Sequence, residues 1–153
     1  CRDGVEGPGS VQFYVDVELE AHYFNLAEDQ KEPLRRIVAF DILVNNADRK
    51  GGHVLRDSRG ELWAIDHGLC FHADPKLRTV IWDFAGQPVA DEILNALRKF
   101  RAMLNPPSDL AGLLCQLIDE DEIAALRRRA DRLLKQKCYP EQGPGRNYPW
   151  PPL

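Results

Sequence analysis

Two carboxylates and an imidazole lie within one short stretch, Asn45 to Gly68, which reads NNADRKGGHVLRDSRGELWAIDHG. Asp48 and Asp66 flank His53 in it. Side chains of these types, brought to one point, can hold a divalent cation and leave one carboxylate free to take a proton. A cation beside a base is what phosphoryl transfer requires, because that chemistry is mostly charge neutralisation and positioning of the attacking hydroxyl. Gly51, Gly52 and Gly68 would let the backbone turn tightly or approach closely at the same place.

The elements around this stretch must bring the three groups together. From Glu32 the apolar residues take helical spacing. Pro33 suits a first turn, and Leu34, Ile37, Val38, Ile42 and Val44 nearly surround the axis, so a buried helix is expected. It ends at Asn45-Asn46 and delivers Asp48 into a loop. Asp41 lies inside that helix and needs a hydrogen-bond partner, for which backbone amides of the following loop are the expectation. Val54–Arg56 and Leu62–Ile65 flank the turn signature Asp57-Ser58-Arg59-Gly60, predicting a hairpin that returns Asp66 towards Asp48 and His53.

Upstream, after a Gly/Pro-rich loop over residues 1–10, Val11, Phe13, Val15 and Val17 alternate with polar residues and Tyr14, predicting a half-buried strand. Downstream, Cys70 to Gln87 has no clear period, and loops of such length in a compact domain are usually functional. Three helices follow: Pro88 to Met103, then one capped by Ser108 running through Ile118, then one opened by Asp119 and Glu122 as a capping box. The tail from Cys138 is Pro-rich and extended, with Tyr148 and Trp150 expected to pin it.

Asn46-Ala47-Asp48-Arg49, then His53, a hairpin, and Ile65-Asp66-His67-Gly68 resemble the catalytic core of the phosphatidylinositol 3-/4-kinase-like group. That group includes type II phosphatidylinositol 4-kinases and HipA-like protein kinases. Its pattern is N-x-D-R, a metal-binding Asn five residues after that Asp, a hairpin, then D-x-G. More narrowly, GPGSVQ, NNADRKGGHVL, AIDHGLCFH and KLRTVIWDFAG resemble an uncharacterised actinobacterial kinase-like family. The resemblance runs over most of the chain, but only Asn46 to Gly68 carries chemical specificity.

It implies an α+β, mainly helical fold: the C-terminal lobe of a protein-kinase-like enzyme with a catalytic β-hairpin, as a single domain over residues 1–153. Residues 1–18 would be the hinge-side loop and strand, 32–68 the catalytic loop and metal hairpin, and 69–87 an activation-segment-like loop. Residues 88–137 would be a helical subdomain and 138–153 the tail. The implied activity is ATP-dependent phosphotransfer with Mg²⁺ or Mn²⁺. By position, Asp48 is the catalytic aspartate with Arg49 as its structural or substrate-orienting companion, and Asp66 with His53 holds the metal. Gln12, Tyr14 and Val15 lie where the adenine is met. Asp41, Asn45, Asn46 and Gly68 would support the site, and Lys76 and Arg78 occupy a possible substrate loop.

Two departures stand out. The group's usual residue at His53 is Asn, and an imidazole is softer, which shifts the expected preference towards Mn²⁺. No phosphate-covering loop or phosphate-pairing lysine precedes Val11, so the chain reads as a fragment without its N-terminal lobe, inactive alone, with an apolar surface near Val11–Val17. Two other functions fit the same residues: a nucleotide-binding pseudokinase or binding module, and a metal-dependent hydrolase using Asp48, His53, Asp66 and His67 or His72. Blander roles are assigned elsewhere. His67 is structural, Trp82 and Phe84 are core anchors, and Arg127-Arg128-Arg129 is the solvent side of a helix.

Composition sets the outer limits. A chain of 153 residues, 44% hydrophobic and 29% charged, can bury one core, and a net charge of −4 argues against nucleic acid or an anionic membrane as the main partner. No apolar run approaches a bilayer span and no leader is visible, so the cytoplasm is the expected location. Cys1, Cys70, Cys115 and Cys138 form no CxxC pair and are expected as buried free thiols. The expected partners are a nucleotide, the missing lobe and a phosphate acceptor of unspecified class.

Overall fold

The computed structural model describes residues 2–4, 7–9, 13–18, 20–26 and 30–153. The fold is α+β and mainly helical, with four α-helices and two separate two-stranded antiparallel sheets among the described residues. Strands β1 (Arg2–Gly4) and β2 (Gly7–Gly9) pair where a loop was expected. The alternating stretch does not become a strand within residues 13–18. Its one ladder contact is an isolated bridge from Val17 to Asp57, with the Glu18 amide donating to the Arg56 carbonyl at 2.9 Å. Period-two patterning needs a partner edge along its length, and here the hairpin offers only its far end. Val11 lies outside the described residues.

Helix α1 (Lys31–Val44) is the central element. Its Leu34, Ile37 and Val38 pack with Val54, with Val80, Ile81 and Phe84 of the long connection, and with residues of the later helices. Each such side chain contributes on the order of 1.5–3 kcal/mol when buried. Three of them come from the aperiodic segment, which explains why a stretch without helix or strand has a defined path. Phe84 is a core anchor as expected, with the Arg35 guanidinium 4.5 Å from its ring centre.

The hairpin forms at the expected place: β3 (Val54–Arg56) pairs with β4 (Leu62–Ala64), Leu55 opposite Trp63. Asp57 makes the turn. Its Oδ1 accepts from the Arg59 and Glu61 amides, and Gly60 takes a φ of 83° that a side chain would resist. Helices α2 (Asp91–Met103), α3 (Asp109–Leu117) and α4 (Glu120–Gln136) follow. Ser108 Oγ accepts from the Ala111 amide, and the Asp119 amide donates to Glu122 at 3.1 Å, so both caps read from sequence are made. Helix α4 packs on α1 and α2.

The tail is held differently from expectation. Tyr148 and Trp150 are exposed, and the attachment is through buried Tyr139, the Asn147 carbonyl and the Pro152 carbonyl. Among the described residues, Cys70, Cys115 and Cys138 are free thiols, but Cys115 is exposed and the other two are half-buried. Cys115 faces outward because α3 buries little beyond Ala111. No described helix is long and apolar enough to cross a membrane.

Candidate functional site

The loop carrying Asp48 is organised by two asparagines. Helix α1 ends with Asn45 in the left-handed region, φ 57°, a conformation Asn tolerates better than most residues. Its side chain donates to the carbonyls of His72 and Asp74 at 2.8 and 2.7 Å and accepts from the Lys76 amide at 2.9 Å. That one residue ties the long connection to the end of α1. Asn46 Nδ2 donates to Asp41 Oδ1 at 3.0 Å, while Asn46 Oδ1 accepts from the Asp48 amide at 3.0 Å. The backbone of Asp48 is therefore fixed from the helix.

Arg49 is the keystone. Its guanidinium meets Asp41 in a two-pronged ion pair, Nε to Oδ2 at 2.8 Å and Nη2 to Oδ1 at 2.9 Å, with the side chains 0% and 1% exposed. Nη1 donates to the carbonyls of His53 at 3.1 Å and Ile65 at 2.7 Å. These carbonyls precede β3 and follow β4, so a single planar group sets the two ends of the hairpin relative to α1. Asp41 thus finds its partners in side chains, not the backbone amides expected. A rigid five-donor fork satisfies a buried carboxylate better than scattered amides do. Burial also makes Arg49 a positioning residue, out of reach of a substrate.

What this scaffold presents is only partly buried. His53 Nε2 lies 3.4 Å from Asp66 Oδ2, with His53 15% and Asp66 60% exposed. Asp66 takes a φ of 54°, unusual for a residue with a side chain. Asp48 Oδ2 lies 3.5 Å from Lys50 Nζ. The structure therefore joins His53 with Asp66 and Asp48 with Lys50. Among the described residues no group of three or more His, Cys, Asp or Glu side chains forms a metal cluster. His53 and Asp66, expected as the metal pair, are thus neighbours, while Asp48, expected as the proton acceptor, has its ion-pair contact with Lys50.

Two neighbours set the local electrostatics. Burial, and then the Arg49 charge, lower the pKa of His67, whose ring packs edge-on against Phe40 with centroids 5.0 Å apart. Burial, and then the Asp41 charge, push the Cys70 thiol up to about 11. His72 Nδ1 accepts from the Asp74 amide and is not directed to the site.

The glycines behave unequally. A Cβ on Gly51 would come within 2.6 Å of Phe24, whereas Gly52 has open space and a Cβ on Gly68 would meet Asp66 Oδ1 at an ordinary 3.6 Å. Only Gly51 needs its lack of a side chain for close approach. Gln12 lies outside the described residues. Tyr14 and Phe13 are 83% and 79% exposed, Val15 is half-buried, and Phe13 stacks on Trp63 of β4 with centroids 5.8 Å apart. Lys76 and Arg78 line a separate cleft whose walls include none of Asp48, His53 and Asp66.

Over 118 residues, 77% of this chain, the sequence is 49% identical to Protein Rv2133c of Mycobacterium tuberculosis (strain ATCC 25618 / H37Rv). The chain spans 42% of that relative's length. No family model matches the chain, and no solved structure matches it.

Lys50 escaped the sequence reading although it follows Asp48 and Arg49 directly. Its signal is that adjacency, a cation two residues from a carboxylate on a bent loop. The arginine run was also misread. Arg127 donates to the Leu104 carbonyl at the end of α2, Arg129 donates to the Leu43 carbonyl at 2.7 Å, and only Arg128 is freely exposed.

Proposed function

We propose that this chain is the acid-and-metal half of an ATP-dependent phosphotransferase of the phosphatidylinositol 3-/4-kinase-like type. The observation that supports this most is the His53–Asp66 pair, 3.4 Å apart and set across the hairpin's two ends by the buried Arg49. Two protein ligands at that separation fit a cation shared with phosphate oxygens better than one held wholly by protein. His53 and Asp66 would hold the divalent ion, which when bound neutralises phosphate charge.

This chain's own residues would do the rest. The acceptor hydroxyl oxygen forms a bond to the γ-phosphorus of ATP, the bond from that phosphorus to the bridging oxygen breaks, and ADP leaves. The hydroxyl proton passes to Asp48, held in place through Asn46. Lys50, beside Asp48, supplies a positive charge near the transferring group. Arg49 and Asp41 keep the loop and hairpin in register and touch no reactant.

The test is transfer from γ-labelled ATP by the full-length protein, with Asp48→Asn and Asp66→Asn variants, in Mg²⁺ and in Mn²⁺. Loss of at least about 100-fold in kcat for Asp48→Asn, the usual scale of general-base removal, is expected. Unchanged turnover in either variant refutes the assignment. A nucleotide-binding pseudokinase is the second reading, favoured by His53 standing where the group has its metal-binding Asn. It predicts nucleotide binding without turnover. The metal-hydrolase alternative needs Asp48, His53, Asp66 and His67 or His72 as one group, and the lack of such a group among the described residues speaks against it.

A further inference from the structure

A cleft of about 780 Å³ opens between α4, the long connection and the tail. Six basic side chains line it: Lys76, Arg78, Arg128, Arg129, Arg132 and Arg146. Only two acids, Asp74 and Glu141, share the lining, although the whole chain has a net charge of −4. Six of the chain's 20 Lys and Arg residues therefore share one concavity. Among the described residues, none of Lys76, Arg78, Arg128, Arg132 and Arg146 forms an ion pair with a carboxylate.

The donors are also unspent. Arg78 Nε and one terminal nitrogen of Arg129, its Nη2, are buried and meet no acceptor among the described residues. Buried polar groups in folded proteins are nearly always paired; these two nitrogens are shielded from solvent, so the groups a ligand in the cleft would meet are the exposed Lys76, Arg128, Arg132 and Arg146. Arg129 is fixed from behind, Nε to the Leu43 carbonyl and Nη1 to the His72 carbonyl at 3.3 Å. Burial, and then the neighbouring Arg128 and Arg132, disfavour its charge. Arg128 and Arg132 stand one helical turn apart on α4 and extend the basic wall. Trp82, whose indole donates to the Asn147 carbonyl, closes one side with apolar surface.

We infer that this cleft binds a small, multiply charged phosphate compound, a phosphate ester or condensed phosphate carrying several anionic oxygens. Planar guanidinium forks match phosphate oxygens in pairs. The volume falls in the range of small-molecule sites. The inference is independent of the phosphotransfer proposal, since the lining contains none of Asp48, His53 and Asp66.

The probe is sodium tripolyphosphate, titrated calorimetrically into the chain in EDTA, which keeps divalent cations away from His53 and Asp66. Saturable one-to-one binding is expected, weakening as salt rises. The Arg128→Ala/Arg132→Ala variant alters two exposed side chains and is expected to bind at least about tenfold more weakly, as for loss of charge-assisted contacts. Arg98→Ala/Lys99→Ala on α2 removes the same charge from exposed positions away from the cleft and is expected to leave binding unchanged. Thermal melts of both variants, monitored by circular dichroism, verify folding. No saturable heat, or equal losses in both variants, overturns the inference. Sedimentation with phosphatidylglycerol vesicles that needs Arg128 and Arg132, without tripolyphosphate binding, would move the site to a membrane surface and overturn it equally.

Discussion

Replacing Arg49 by Met is the most informative single perturbation. The change keeps side-chain length and apolar volume but removes the guanidinium. Asp41 is then left 1% exposed, with Asn46 Nδ2 as its remaining side-chain donor. The carbonyls of His53 and Ile65 lose the Nη1 donor, although the His53 carbonyl keeps the Ile65 amide at 3.0 Å. Breaking one side of a buried pair costs about 3–5 kcal/mol, and an unsatisfied carbonyl adds on the order of 1–3 kcal/mol where no other donor reaches it. Because these losses share one group they do not sum, and we expect roughly 3–5 kcal/mol in all. For a chain of this size that lowers the melting temperature by roughly 6–20 °C.

The assay is urea denaturation followed by far-ultraviolet circular dichroism and by tryptophan fluorescence, since Trp63 lies on β4. A second variant separates electrostatics from packing. Asp41→Leu/Arg49→Met removes both charges, and apolar replacement of a buried pair is often neutral, so the double variant should recover about half or more of the lost stability. A loss below about 1 kcal/mol for Arg49→Met, or strict additivity with Asp41→Leu, would refute the keystone role.

The other predictions are narrower. In the full-length protein, turnover with Mn²⁺ should exceed that with Mg²⁺, and His53→Asn should reverse the order, because an amide oxygen is the harder ligand; equal rates in both forms count against His53 as a ligand. Burial pushes the Asp57 carboxyl up, but hydrogen bonds from the Glu61 amide, the Trp63 indole, and the Arg59 side chain and amide outweigh it and hold its pKa at about 2. Its stabilisation is therefore present above the ordinary carboxylate value of 3.8 and is lost as pH falls through about 2. The urea midpoints of the parent and Asp57→Asn should converge over that window, and a constant gap would contradict the sign. With a pKa of about 11, Cys70 has about one thiolate per thousand at pH 8, so thiol reagents should label exposed Cys115 well before Cys70. Equal labelling rates, resolved by mass spectrometry, would refute this.

Where the sequence was legible, the signal was local and had one physical meaning. The hairpin could be read because β-forming runs bracket an Asp-Ser-Arg-Gly turn, and the helix caps because Ser108 and the Asp119–Glu122 pair each have one job. The extended stretch at residues 13–18 was not legible, since its alternation states a preference but not a partner. The partner of Asp41 was missed because charge compensation eight residues along a bent chain depends on the turn at Asn45, which no periodicity encodes. The same limit hid the basic cleft. Arg128 and Arg132 look like a solvated helix face until the connection and the tail, remote in sequence, close over them.

The distribution of burial within the candidate site bears on why a costly interaction persists in it. A buried ion pair is a poor source of stability, since well-packed apolar residues usually do as well. What Asp41 and Arg49 provide that apolar residues cannot is direction: a planar fork that fixes α1, the start of the hairpin and its end by three separate hydrogen-bonded contacts. Those contacts lie directly behind His53 and Asp66, whose side chains are progressively more exposed. A purely structural role would place such a rigid frame behind something equally buried. Here the frame is completely enclosed, while His53 is 15% and Asp66 60% exposed, an arrangement that suits the proposed ligand site.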